Sequence, residues 1–165
     1  QTLCDGITRS LSQIDPNHAA QYQENNAAYL QKLQQLDADY QTAVDDGARK
    51  TLLFCDRFPF RYLVDDYGLT YYAAFSGCSA ETEASFETIA FLAEQVEQLK
   101  LPSVLTIEGA SHDVADTVVR STSTQNQTIL TMDSMQSITS ADIAAGATYL
   151  SIMEENLKTL KQALS

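Results

Sequence analysis

Four short apolar runs, each closed by a polar or charged cluster, constrain this chain more than any other feature. They cover residues 51–54, 69–75, 104–107 and 128–132. The clusters that follow them are Cys55-Asp56-Arg57, Ser76-Gly77-Cys78-Ser79, Glu108 and Asp133-Ser134. Helix-like stretches separate the runs, and this alternation predicts an α/β domain: a four-stranded parallel sheet flanked by helices. Ligands of such sheets bind beyond the carboxyl ends of the strands, where these clusters fall. The pattern therefore predicts a cleft with oxygen ligands along one sheet edge.

The remainder of the chain is helical in pattern. Leu3, Ile7, Leu11 and Ile14 form one apolar stripe, and Asp15-Pro16 reads as an N-cap with proline at the first helical position. The next helix extends to about Val44, with Tyr22, Tyr29, Leu33, Leu36 and Tyr40 on one face. At 1.5 Å per residue it is roughly 40 Å long, enough for a strut between lobes or for an amphipathic helix across the back of the sheet. Gly47 is expected to close it as a left-handed C-terminal residue. Residues 58–67 read as a short helix ended by Gly68. Residues 85–100 read as a longer one, with Phe86, Ile89, Leu92, Ala93, Val96 and Leu99 facing inward. Ser111 is placed to cap a helix reaching Ser121. The Thr139 to Asp142 spacing suggests a capping box opening a final helix along Ala147, Leu150, Met153, Leu157, Leu160 and Leu164. The division this implies is a helical segment over residues 1–46 and an α/β lobe over 47–165.

The 165 residues suffice for a real core, and they carry 22 acidic against 10 basic side chains, a formal charge of −12. Such a balance disfavours a nucleic-acid partner, whose phosphates need a positive face, and adhesion to anionic lipid. It suits attraction of cations or simple solubility outside the cytoplasm. No apolar run approaches a membrane span or a signal peptide, and the chain opens on Gln1 inside a helical pattern, as expected for a piece of a longer polypeptide. Cys4, Cys55 and Cys78 lack CxxC spacing, which argues against a structural zinc knot. Cys55 and Cys78 follow strands that can be neighbours, so a disulfide is open to them; the usual burial of free cysteine favours thiols.

No catalytic motif is present: there is no GxSxG elbow, P-loop or GxGxxG. An enzyme of receiver-like fold needs a lysine after the last strand, and none follows Met132. His18 reads as a surface residue. Asp133, just past a buried strand, requires either a cation or backbone donors in an Asx turn to offset its desolvation. Glu108 has the same geometry after the third strand, with Gly109 permitting a tight turn; it is open to a metal or to hydrogen bonds with the loop. His112, at the start of a helix, can reach the same cleft as a metal ligand. Arg57 supplies a cation at this edge, available to Asp133 or Glu108.

Four segments, in order, resemble a known family. NNAAYLQKLQQLDAD (residues 25–39) is similar to the long linking helix of the zinc- and manganese-specific substrate-binding proteins of ABC transporters. DRFPFRYLVDDYGL (56–69) resembles the segment after that helix, TMDSM (131–135) the family's aspartate site, and TYLSIMEENLKTLKQAL (148–164) its closing helix.

The resemblance implies the linking helix and C-terminal lobe of a two-lobed receptor that holds its metal between lobes. It further implies Zn2+ as ligand, with Mn2+ the alternative, and no covalent chemistry. The partners implied are an N-terminal lobe of the same protein and a membrane permease. The expected location is extracytoplasmic, at the membrane surface through the parent protein's anchor or in the periplasm. The family's C-lobe aspartate falls on Asp133, whereas its histidine or glutamate falls on Arg57, which stays protonated and cannot ligate. Glu108, His112 or Asp56 then stands in, or the site has three protein ligands, or the metal specificity has changed. The rival reading is a module for a small organic ligand whose carboxylate Arg57 clamps.

Overall fold

The computed structural model describes residues 1–75, 84–109 and 111–165. The chain divides into two compact units, Gln1–Tyr40 and Gln41–Ser165. The first holds α1 (Thr2–Ile14), a 3-10 turn at Pro16–His18 and most of α2 (Ala19–Asp46), which continues into the second unit. Asp15 is the N-cap of the turn, with Pro16 at its first position. Its carboxylate accepts hydrogen bonds from His18 Nδ1 and Tyr22 Oη, so the side chain holds the corner rather than a backbone amide. The α1 stripe of Leu3, Ile7, Leu11 and Ile14 is exposed. Along α2, Tyr22, Tyr29 and Leu33 are half-buried and Leu36 and Tyr40 buried, while Gln23, Gln31, Gln34 and Gln35 face solvent.

The second unit is built on a parallel sheet of β1 (Thr51–Arg57), β2 (Thr70–Phe75), β3 (Ser103–Ile107) and β4 (Thr128–Met132), in the order β2-β1-β3-β4. Central β1 is buried from Leu52 to Asp56, as a strand covered on both faces must be. On one face Leu53, Cys55 and Val104 pack with Leu92, Ala93 and Val96 of α4 (Phe86–Gln98) and with Ala115 and Val118 of α5 (Asp113–Ser121). On the other, Phe54 meets the rings of Phe58 and Phe60 at centroid separations of 5.1 and 5.5 Å. There α7 (Tyr149–Leu164) packs on the sheet and buries Leu157, Leu160 and Leu164.

Several boundaries depart from the sequence expectations, each for a physical reason. β1 continues through Asp56 and Arg57, because the Asp56 carboxylate finds a backbone donor on the neighbouring strand and can be buried. The register with β2 shifts between Phe54 and Arg57. The following helix is shorter than expected, α3 (Arg61–Asp66), and is closed by Gly68 at φ +65° with Leu69 N–H donating to Val64 O. Phe86, expected inside, is 82 % exposed: it is the first residue of α4, immediately after the Ser85 N-cap, and lies beyond the face that covers the sheet. Leu99 is the C-cap and is also exposed.

The final helix is two helices. The capping box of Thr139 and Asp142 opens the short α6 (Ser140–Ala144); Gly146 then turns at φ +101°, and a second box, Thr148 with Ser151, starts α7. Ala147 lies between them. Ser111 does not cap α5; His112 takes that position without a side-chain bond. Cys55 is a buried free thiol whose pKa burial and the adjacent Asp56 charge push up to about 12, so it stays protonated. Its pairing with Cys78 lies outside the described residues. Among those residues no helix is long and apolar enough to cross a membrane.

Gly47 is not in the left-handed region expected of it. The end of α2 is capped instead by Lys50 Nζ, which donates to Val44 O and to Asp45 O. Glycine is required there by crowding: a Cβ at residue 47 falls 2.9 Å from Leu164 Cβ and 3.2 Å from two carbonyl oxygens. Gly47→Ala must therefore push the buried C-terminus of α7 away. Denaturant unfolding should show a loss of about 1–3 kcal/mol, the usual cost of overpacking. Unchanged stability would mean that the α2–β1 corner is looser than described.

Candidate functional site

Parallel strands end in backbone groups that the sheet no longer pairs, and here three side-chain carboxylates gather at that edge. Asp56, at the end of β1, is buried: Oδ1 accepts from Arg57 N–H at 2.7 Å and Oδ2 from Ile107 N–H at 3.4 Å. This ties the tip of β1 to the tip of β3. Arg57 places its Nε 3.9 Å from Asp56 Oδ1, a loose pair with a side chain 39 % exposed. Among the described residues it pairs with neither Asp133 nor Glu108, the two partners expected from the sequence.

Glu108 directly follows β3, and Gly109 turns behind it at φ +70°. Its Oε2 accepts from Ser134 N–H at 2.7 Å. Its Oε1 accepts from Ser134 Oγ at 2.7 Å, Gln136 N–H at 3.1 Å and Ser137 Oγ at 3.3 Å. Both oxygens are thus committed to the loop after β4, the hydrogen-bonded alternative left open by the sequence. Partial burial works against the charge, yet the Ser134 amide and hydroxyl and the Gln136 amide outweigh it and hold the pKa below its ordinary 4.5.

Asp133 follows β4. Its Oδ1 accepts from Met135 N–H at 2.7 Å, an Asx turn, while Oδ2 has no hydrogen-bond partner among the described residues. Met135 sits at φ +62°, a left-handed conformation uncommon for a side chain of its size. The main chain of Asp133 is held from α7. Asn156, only 2 % exposed, accepts from Asp133 N–H through Oδ1 and donates to Asp133 O through Nδ2, both at 2.8 Å. One turn on, Thr159 Oγ1 donates to Thr131 O at 3.2 Å. Asn156 was missed in the sequence; its signal is an amide on the apolar face of α7, between Met153 and Leu160, where asparagine is a poor helix former.

His112 is exposed at the N-cap of α5, and its ring makes no capping bond. Among the described residues no three His, Cys, Asp or Glu side chains form a metal-binding cluster. Of the three carboxylates at this edge, Asp133 is the one with an oxygen that accepts no hydrogen bond from the described residues.

A family model described as zinc-uptake complex component A, periplasmic (ZnuA), matches residues 1–163. The chain belongs to this family. It is 34% identical over 160 residues to the zinc-binding lipoprotein AdcA of Streptococcus pneumoniae, covering 97% of this chain and 31% of AdcA. It is 28% identical over 158 residues to the high-affinity zinc uptake system protein ZnuA of Bacillus subtilis, covering 96% and 48%. The chain therefore spans from 31% to 48% of the length of these relatives. Among solved structures, the Zn(II)-bound ZnuA-like domain of S. pneumoniae AdcA superposes with a TM-score of 0.74 at 34% identity, over 96% of this chain and 57% of that one. The metal-dependent lipoprotein YcdH of B. subtilis gives 0.79 at 28% identity, over 96% and 58%. The four-stranded parallel sheet with a long preceding helix is thus the fold of ZnuA-like binding proteins.

The Glu108 tether sets a pH dependence with a definite sign. A carboxylate whose folded pKa is depressed stabilises the fold above its unfolded pKa, and that contribution disappears as pH falls through the folded value. Wild-type stability should therefore decline on acidification below about pH 4.5, and a Glu108→Gln variant should show a shallower decline over the same window. Superimposable acid limbs in chemical denaturation would exclude Glu108 as a contributor.

Proposed function

We propose that residues 1–165 form the linking helix and C-terminal lobe of an extracytoplasmic receptor that captures Zn2+, with Mn2+ as the lesser alternative, and delivers it to an ABC-type membrane permease. The remaining lobe of the same polypeptide supplies the other side of the ion site. The observation that carries this reading is the Asp133 carboxylate, fixed at the sheet edge with Oδ2 unpartnered among the described residues. Membership of a zinc-uptake family supports it independently. The net charge of −12 favours a cation over an anion as cargo.

Asp133 is the metal ligand in this reading, and His112 is the candidate nitrogen donor, exposed and with no capping bond to give up. Glu108, the third candidate, lends its charge to the edge while its oxygens stay with the loop. Arg57, where the family resemblance places a histidine or glutamate, removes one donor and adds a fixed positive charge. Three protein ligands with a water complete a tetrahedral zinc site. The loose hold on Arg57 also favours a second reading, in which its guanidinium clamps the carboxylate of a small organic ligand.

Calorimetric titration of the two-lobed protein separates the two. Zinc should bind tightly, Asp133→Ala should weaken it about 10-fold or more, and Arg57→His should tighten it by adding a ligand. No zinc heat, with a response to small carboxylates that Arg57→His abolishes, would replace the receptor reading by the clamp.

A further inference from the structure

The bonds around Asp133 hold the main chain on both sides of the carboxylate, and they come from two different elements. Asn156, on α7, closes a two-point ring with the Asp133 peptide groups, N–H to Oδ1 and O to Nδ2, each 2.8 Å, with its amide buried. Glu108, at the end of β3, binds the next residue twice, at Ser134 N–H and Ser134 Oγ, and reaches Gln136 and Ser137 beyond it. Between these two anchors the chain turns through Met135 at φ +62°, and the Met135 amide in turn holds Asp133 Oδ1. A left-handed methionine persists only where its surroundings over-determine it.

We propose that Asn156 and Glu108 are positioning residues for the Asp133 ligand. They fix the peptide on either side of it so that one carboxylate oxygen is spent on the Met135 amide and the other is aimed outward for the ion. This rests on the receptor reading, since the ion is what gives the aimed oxygen its use. Their contribution is preorganisation. A ligand already held in its bound orientation has less conformational freedom to lose when the metal arrives, and partners of this kind are typically worth 10- to 100-fold in metal affinity. Asn156 suits the task because it offers one acceptor and one donor at the spacing of a peptide N–H and C=O, which neither aspartate nor leucine does.

The test uses Asn156→Leu, which keeps the volume and removes both bonds, with Glu108→Gln as the second variant. In the two-lobed protein, zinc affinity should fall 10- to 100-fold in either variant with stoichiometry unchanged. A second readout needs no metal: the Met135 amide, which touches neither Asn156 nor Glu108, should exchange its hydrogen faster in both. A purely structural role lowers the melting temperature but leaves the zinc affinity and the Met135 amide as in wild type, and that result overturns the proposal. If the wild-type protein takes up no zinc, the receptor reading fails by itself. The positioning claim then rests on Met135, where unchanged exchange refutes it and faster exchange upholds it. Should Asn156→Leu fail to fold, Glu108→Gln decides by the same two measurements.

Discussion

Where parallel strands stop, their last amides and carbonyls lose ladder partners, and a buried edge must satisfy them by other means. This protein satisfies them with acidic side chains and one amide. Asp56 answers the amide of Ile107, Glu108 the amides of Ser134 and Gln136, Asp133 the amide of Met135, and Asn156 both peptide groups of Asp133. Apart from the local Asp133–Met135 turn, these bonds join one element to another, so the edge is laced across β1, β3, β4 and α7. Everything proposed for the site depends on that lacing, because it leaves one carboxylate oxygen on Asp133 without a donor among the described residues.

The same arrangement explains how several carboxylates tolerate one another at a single edge. A carboxylate surrounded by amide and hydroxyl donors is stabilised in its charged form, and Glu108 remains ionised despite partial burial for that reason. Arg57 modifies this balance: its guanidinium lies close to Asp56, not to the carboxylates of β3 and β4. The position thus contributes a fixed positive charge at the β1 end of the edge.

The order and type of the main elements could be read from the sequence because they rest on local periodicity. The fourth strand begins and ends where its apolar run does, and α2 has the length its stripe of tyrosines and leucines requires. The capping boxes are equally local, since both partners lie within four residues. The failures have a common cause. Phe86 follows the helical period but lies beyond the helix's contact with the sheet, and β1 runs on past Phe54 because a distant amide rescues Asp56. Gly47 adopts a backbone conformation open to ordinary residues, and the packing of Leu164 and two carbonyl oxygens against it explains why nothing larger fits.

Asp133, Glu108 and His112 were recognisable as edge residues because strand ends are marked by where apolar runs stop. That is a one-dimensional signal, and it determined the α/β class, the parallel sheet and the candidates for the site. Glu108 loses both oxygens to residues 26 to 29 positions away, Ser134, Gln136 and Ser137, whereas Asp133 spends Oδ1 on the Met135 amide and has its main chain held from α7 by Asn156. A carboxylate's availability depends on which donors reach it in space, and those contacts exist only once β3, β4 and α7 have packed together.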